Sequence, residues 1–215
     1  MKSDQTLKTK QKAKGRHVEI VSEGHPALRQ ISEEVPLSEI GSEKINDVII
    51  DMKKALASQS DGIGLAAPQI GIPLRIFLVS KKIFDPEDLQ KDARNKEKKV
   101  DEALAAKGHA QAKAPVKSAK MPVDDLVFIN PVLTKESREK RWMEGEGCLS
   151  VRWIYGKVRR STKVTIRAYD ENGVLFERGA SGLLAHIFQH EVDHLNGILF
   201  IDKAKDLEHS KPDHE

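Results

Sequence analysis

Apolar residues between positions 42 and 58 recur at the spacing of one helix face. Ile45, Val48, Ile49, Met52 and Leu56 fall three, four, seven and eleven residues beyond the first of them. Ser42, whose hydroxyl can accept from a backbone N–H, stands where an N-cap belongs, and the turn-forming stretch Asp61 to Gly64 ends the helix. The pattern then changes period. Leu74 to Val79 and Leu126 to Ile129 are short apolar runs of strand length, and Val164 to Tyr169, the turn Asp170 to Gly173 and Val174 to Arg178 read as a hairpin. A second helix starts near Ser181 and Gly182, carries Leu184, Ile187 and Leu195 on one side, and stops at Asn196 and Gly197.

Between the two apolar runs, Phe84 to Pro122 is rich in Lys, Ala, Asp and Glu and nearly devoid of large apolar residues, so it reads as an insertion (84–122) that buries little surface. The chain therefore divides into a basic tail (1–17), one catalytic domain (18–203) interrupted by this insertion, and a polar tail (204–215). A length of 215 residues with 39% apolar content suits one sizeable core. No apolar run approaches bilayer-spanning length, so no membrane partner is expected.

The formal charge of +3 is the small difference between 36 basic and 33 acidic residues, which argues against a general affinity for DNA. Most of the excess sits in the N-terminal tail and in Lys81 to Lys120. Lys2 to Arg16 and residues 87–120 are expected either to make a weak, salt-sensitive contact with ribosomal RNA or, on the plainer reading, to be solvated segments. The single cysteine, Cys148, has no partner for an internal disulfide, which fits a reducing cytoplasm.

The second helix contains His190, Glu191 and His194. Imidazoles at i and i+4 share one helix face, one turn apart, as a single metal ion requires, and a glutamate beside the first is placed to handle the proton of a water. A catalytic site of this kind needs a third protein ligand and one open position. The protease pattern with a histidine six residues beyond His194 meets Phe200 there, and the pattern with a distant glutamate finds only Glu208 and Glu215. Cys148, flanked by Gly145 and Gly147, is the remaining candidate, although a lone cysteine is often inert core.

Three segments together resemble the peptide deformylase family: Gly62-Ile63-Gly64-Leu65-Ala66-Ala67-Pro68-Gln69, Glu146-Gly147-Cys148-Leu149-Ser150, and Gln189 through His194 followed by Leu195-Asn196-Gly197. The resemblance implies an α+β fold with mixed, mainly antiparallel sheets packed around the C-terminal HExxH metal-binding helix. It implies a metallohydrolase that removes the N-formyl group from the terminal formyl-methionine of nascent peptides, releasing formate. Cys148, His190 and His194 would hold Fe2+, replaceable by Ni2+, Co2+ or Zn2+. Glu191 would be the proton carrier, and Gln69 with the backbone amide of Leu149 would stabilise the oxyanion. Gly62 and Gly64 would lie along the substrate, and Ile63, Leu183 and His186 would line the methionine pocket.

Plainer readings stand beside several of these. Gly62 and Gly64 could simply end a helix, Gln69 could be a turn residue, and Asp193 could be a solvated helix residue or an orienting partner. Glu146 would pair with Arg160 as support. Arg152 and Trp153 depart from the family's Pro-Gly-like pair, at positions expected near the substrate cleft.

Overall fold

The computed structural model describes residues 18–84 and 124–210. The basic tail, all but the first residue of the insertion, and the last five residues lie outside the described residues, so the expected ribosome contact does too.

Helix α1 (Glu43–Ala57) is capped as its sequence predicts, with the Ser42 hydroxyl accepting from the Ile45 amide at 3.4 Å. Strands β1 (Gly64–Ala66), β2 (Ile76–Val79), β3 (Leu126–Glu136), β6 (Lys163–Tyr169) and β7 (Leu175–Ser181) form a five-stranded sheet in the order β1-β2-β3-β6-β7, every neighbouring pair antiparallel. Strands β4 (Lys140–Cys148), β5 (Val151–Ser161) and β8 (Lys205–His209) make a second antiparallel sheet in the order β4-β5-β8. Helix α2 (Gly182–Leu195) is the C-terminal helix.

Both faces of the large sheet are covered near its centre, which explains why β2 reads as a continuous apolar run. Ile76 and Leu78 pack with Ile45, Ile49, Met52 and Leu56 of α1, whereas Phe77 and Val79 pack with Ala185, Ile187, Phe188 and Val192 of α2. Phe77 and Phe128 stack with ring centroids 4.5 Å apart, and Phe188 of α2 closes on Phe128 at 5.0 Å. Strand β6 buries only alternate residues, Val164, Ile166 and Ala168, and its polar alternates face outward. Helix α2 stops at Gly197, whose φ of 72° favours glycine and whose added Cβ would lie 2.9 Å from the Arg29 backbone.

The polar stretch after residue 203 differs from the tail that its composition suggests. Lys205–His209 pairs with β5, bringing Ile154 opposite His209 and Lys157 opposite Lys205. All five residues are exposed, and the strand is held by main-chain pairing with exposed contacts such as Lys157–Asp206, so it leaves no apolar signal in the sequence. Among the described residues no helix is long and apolar enough to cross a membrane.

Candidate metal centre and active site

Helix α2 brings His190 and His194 to one face with ring centroids 4.9 Å apart. Cys148, the last residue of β4, reaches them from the smaller sheet, its Sγ 3.2 Å from His194 Nε2. The donor atoms of Cys148, His190 and His194 lie within 4.8 Å of one another. Two donors bonded to one tetrahedral ion at about 2.0–2.3 Å sit roughly 3.3–3.8 Å apart, so the Cys148–His194 separation of 3.2 Å is close to that spacing and the set as a whole, within 4.8 Å, would have to draw in by about 1 Å to hold an ion.

The protonation pattern supports the same reading. Burial, with His190 nearby, holds His194 well below the ordinary imidazole range, so the ring is neutral and able to donate a lone pair. Its Nδ1 is buried without a hydrogen-bond partner among the described residues. Burial pushes the Cys148 thiol up to about 12 in the absence of an ion, and the neighbouring Glu191 adds to the rise.

Glu146 lies behind the ligands. One of its carboxylate oxygens faces His190 Nδ1 at 2.8 Å, and the other contacts His186 Nε2. Burial would raise this carboxyl, but hydrogen bonds from His186, His190 and Arg160 outweigh burial and hold it well below the carboxylate range. An ionised carboxylate only accepts, so His190 donates through Nδ1 and its Nε2 is left for a metal. Arg160, buried to the same depth, donates Nε at 3.1 Å to Glu146 and Nη1 at 2.6 Å to Asp193, whose other oxygen takes Lys203 Nζ at 2.6 Å. Asp193 is therefore no solvated helix residue. It acts on the histidine face at one remove, by fixing the guanidinium that fixes Glu146.

This chain of charges makes the fold sensitive to its centre. Arg160→Met keeps much of the volume but leaves Glu146 and Asp193 without their shared cation, and should cost about 3 kcal/mol. A urea unfolding curve within 1 kcal/mol of the unaltered protein's would show that the network contributes little.

Glu191 is buried and points toward β1. One oxygen would be only 2.3 Å from a Cβ built on Gly64, so any side chain at that position would displace it. Its other oxygen is buried without a partner among the described residues, and burial raises its carboxyl well above the usual range, with Glu146 contributing. Gln69 is buried too. Its Oε1 accepts from the Ala66 amide at 2.8 Å, which turns Nε2 toward Cys148 Sγ at 3.5 Å and Ser150 Oγ at 3.4 Å. It is not the surface turn residue that its place after Pro68 suggests.

These groups stand at the inner end of a cavity of about 400 Å3. Gly62, Ile63, Gly64, Gln69, Cys148, Leu149, Leu183, His186, His190 and Glu191 all line it, and His194 stands behind Cys148. Leu149 occupies the short turn between β4 and β5. Ile63 and Leu183 are exposed at the rim, and a Cβ on Gly62 would meet Leu56 at 2.9 Å, so Gly62 is needed for packing on α1 as well as at the cavity wall. The structure thus brings residues from all three motifs to one cavity, with His194 behind it.

The family model described as polypeptide deformylase matches residues 17–210. The chain belongs to the peptide deformylase family. It is 40% identical over 185 residues to peptide deformylase 1A, chloroplastic/mitochondrial, of Arabidopsis thaliana, a match that covers 86% of this chain and 60% of that protein. It is 36% identical to the peptide deformylase of Flavobacterium psychrophilum, covering 86% of this chain and 80% of the relative. The chain thus spans only about three fifths of the plant deformylase and most of the bacterial one. The crystal structure of the class I type b peptide deformylase from Acinetobacter baumannii with Met-Ala-Ser bound superposes with a TM-score of 0.64 at 27% identity, over 86% of this chain and 97% of that one.

Other contacts around the cavity have no motif to announce them. Lys203 completes the charge chain from ten residues beyond Asp193, and Ser150 supports both Gln69 and Cys148, its amide donating to Sγ at 3.4 Å. Arg152 crosses the cavity rim to Asp61, with Nη1 2.9 Å from Oδ2. The only advance sign of this last contact is that Arg152 and Trp153 depart from the family pattern.

Proposed function

We propose that this chain hydrolyses the formamide at the N-terminal methionine of newly synthesised proteins, releasing formate and a free amine. The observation that carries the reading is the grouping of one thiol, two imidazoles, a buried carboxyl and a fixed amide donor at the closed end of one cavity. A divalent metal held by Cys148, His190 and His194, Fe2+ in this reading with Ni2+, Co2+ or Zn2+ able to replace it, supplies Lewis acidity at that point.

The residues of the chain do the rest. Glu191 takes a proton from the attacking water, a transfer that its partnerless, desolvated carboxyl is suited to, since its raised pKa brings it nearer that of the groups it serves. As the C–N bond breaks, the same carboxyl returns the proton to the departing amine, so water is divided between formate and the peptide. Gln69 Nε2, with its other end tied to the Ala66 amide, is held ready to donate to the oxygen on which negative charge develops, and the Leu149 amide is the second donor. Glu146 keeps His190 in one tautomer throughout. Ile63, Ile187, Leu183 and His186 bound the space for the methionine side chain.

A cytoplasmic location, with a weak salt-sensitive contact to ribosomes through Lys2 to Arg16 and residues 87–120, belongs to the same proposal and rests on the lone cysteine and the charge distribution. Formate release from formyl-Met-Ala-Ser by the metal-loaded protein is the direct test, with unformylated Met-Ala-Ser as control. Formate from the first peptide and no cleavage of the second is the expected outcome. Hydrolysis of peptide bonds in the unformylated peptide would instead make this a protease.

A further inference from the structure

The cavity has a buried end and an exposed rim. Gln69 and Glu191 mark the first, and Asp61, Ile63, Glu144 and Leu183 the second. If the formyl group is processed at the buried end, as proposed above, the residues that follow the methionine must leave across the rim. Arg152 stands there. It is the only lysine or arginine among the described residues lining the cavity.

Its guanidinium is held on three sides. Nη1 donates to Asp61 Oδ2 at 2.9 Å, Nη2 contacts Gln59 Oε1, and the guanidinium carbon lies 5.7 Å from the centroid of the Trp153 ring. Two of its five N–H groups are thereby engaged, and the side chain remains about one third exposed, so donors are left for a ligand. Of the rim acids, Asp61 is taken by Arg152 itself, and Glu144 has Lys157 at 3.6 Å.

The backbone beneath Arg152 gives an independent sign. Trp153 has a φ of 65°, in the left-handed region that a bulky side chain seldom occupies. Strain of this kind persists where the surroundings impose it, and it gathers at ligand clamps. Here the surroundings are β8, since the Trp153 carbonyl accepts from the Ser210 amide at 2.9 Å and Ile154 pairs with His209. The strained residue, near the start of β5, sets the indole under the guanidinium.

We propose that Arg152, aimed by Asp61 and Gln59 and backed by Trp153, is a specificity residue that favours a peptide with an acidic side chain in the first positions after the methionine. The preference rests on the deformylase reading and extends it to the second and third residues of the substrate. A planar guanidinium accepts a carboxylate through two parallel hydrogen bonds, which neither a serine nor a lysine side chain can supply.

The test compares formyl-Met-Glu-Ser, formyl-Met-Ala-Ser and formyl-Met-Lys-Ser, and the matching set varied at the third residue. All are C-terminal amides, so that no terminal carboxylate imitates the side chain. In at least one set the glutamate peptide should have a kcat/KM roughly three- to fivefold above the alanine peptide, the range of one partly exposed ion pair, and the difference should lie in KM. Arg152→Gln should bring the glutamate and lysine peptides together, and Arg152→Glu should reverse their order. Trp153→Gly, which relieves the strained φ, should keep the fold and reduce the preference. Equal rates for the three peptides in both sets, a lysine preference in the unaltered protein, or a glutamate preference that survives Arg152→Gln would each overturn the assignment. Failure of every formylated peptide to react would count against the deformylase reading itself, which separates the two failures.

Discussion

Cys148→Ala is expected to weaken metal retention and lower turnover together. A metal held by four ligands in such sites is bound by about 10–16 kcal/mol, so losing one thiolate should weaken binding on the order of a hundred- to a thousandfold. The neighbours cannot compensate: Ser150 offers a hydroxyl, Gln69 an amide, and Glu191 is directed toward Gly64. The unaltered protein gives a second reading of the same ligand. With the thiol pushed up to about 12 and His194 pushed down, the metal-free site at pH 7 holds its proton on sulfur and none on His194. Metal uptake at that pH should therefore release about one proton, measurable as a buffer-dependent enthalpy in titration calorimetry, and the variant should release none. A stoichiometric metal and normal turnover in the variant would remove Cys148 from the set.

Glu191→Gln separates the metal from the proton. The amide is nearly isosteric, and at this depth a neutral group is favoured over a carboxylate, so the fold and the ligands should be undisturbed. An amide cannot accept a proton from water, and positioned acid–base groups contribute about 10²–10⁴ in rate, so kcat should fall by that factor with the metal content unchanged. Metal analysis and formate release on one sample decide the point. Turnover within tenfold of the unaltered protein would mean that another group carries the proton.

The two helices were readable in the sequence because each has an apolar face and defined ends: Ser42 caps one, and Gly197 stops the other. Strand β2 was readable for a different reason, since burial on both faces turned it into a plain apolar run. The smaller sheet left no such trace. Glu146 and Arg160 face its interior and carry opposite charges that satisfy each other, so a pattern of polar and apolar letters places both at the surface. Strand β3 likewise runs seven residues beyond the apolar stretch ending at Ile129, through side chains that are mostly part-buried or exposed.

At the site, spacing could bring together only residues on one element. His190 and His194 were paired by their four-residue separation, but Cys148 was joined to them by elimination and by resemblance to a family, because β4 meets α2 only through the folded core. The contacts of Lys203 with Asp193, and of Arg152 with Asp61, depend on tertiary approach across 10 and 91 residues and have no period to reveal them.

The position of α2 also fixes the order in which a nascent copy becomes competent. Both imidazoles and Glu191 of the proposed site belong to the last α-helix of the described chain, so a copy that has left the ribosome only as far as residue 193 lacks part of the proposed set. Until that helix arrives, Phe77, Val79, Phe128 and Ile166 have no cover on their side of the large sheet. An interrupted copy would therefore be sticky and, on the proposed function, inert, a target for chaperones and proteases, whereas the finished one hides its apolar face and completes the proposed site in a single docking event.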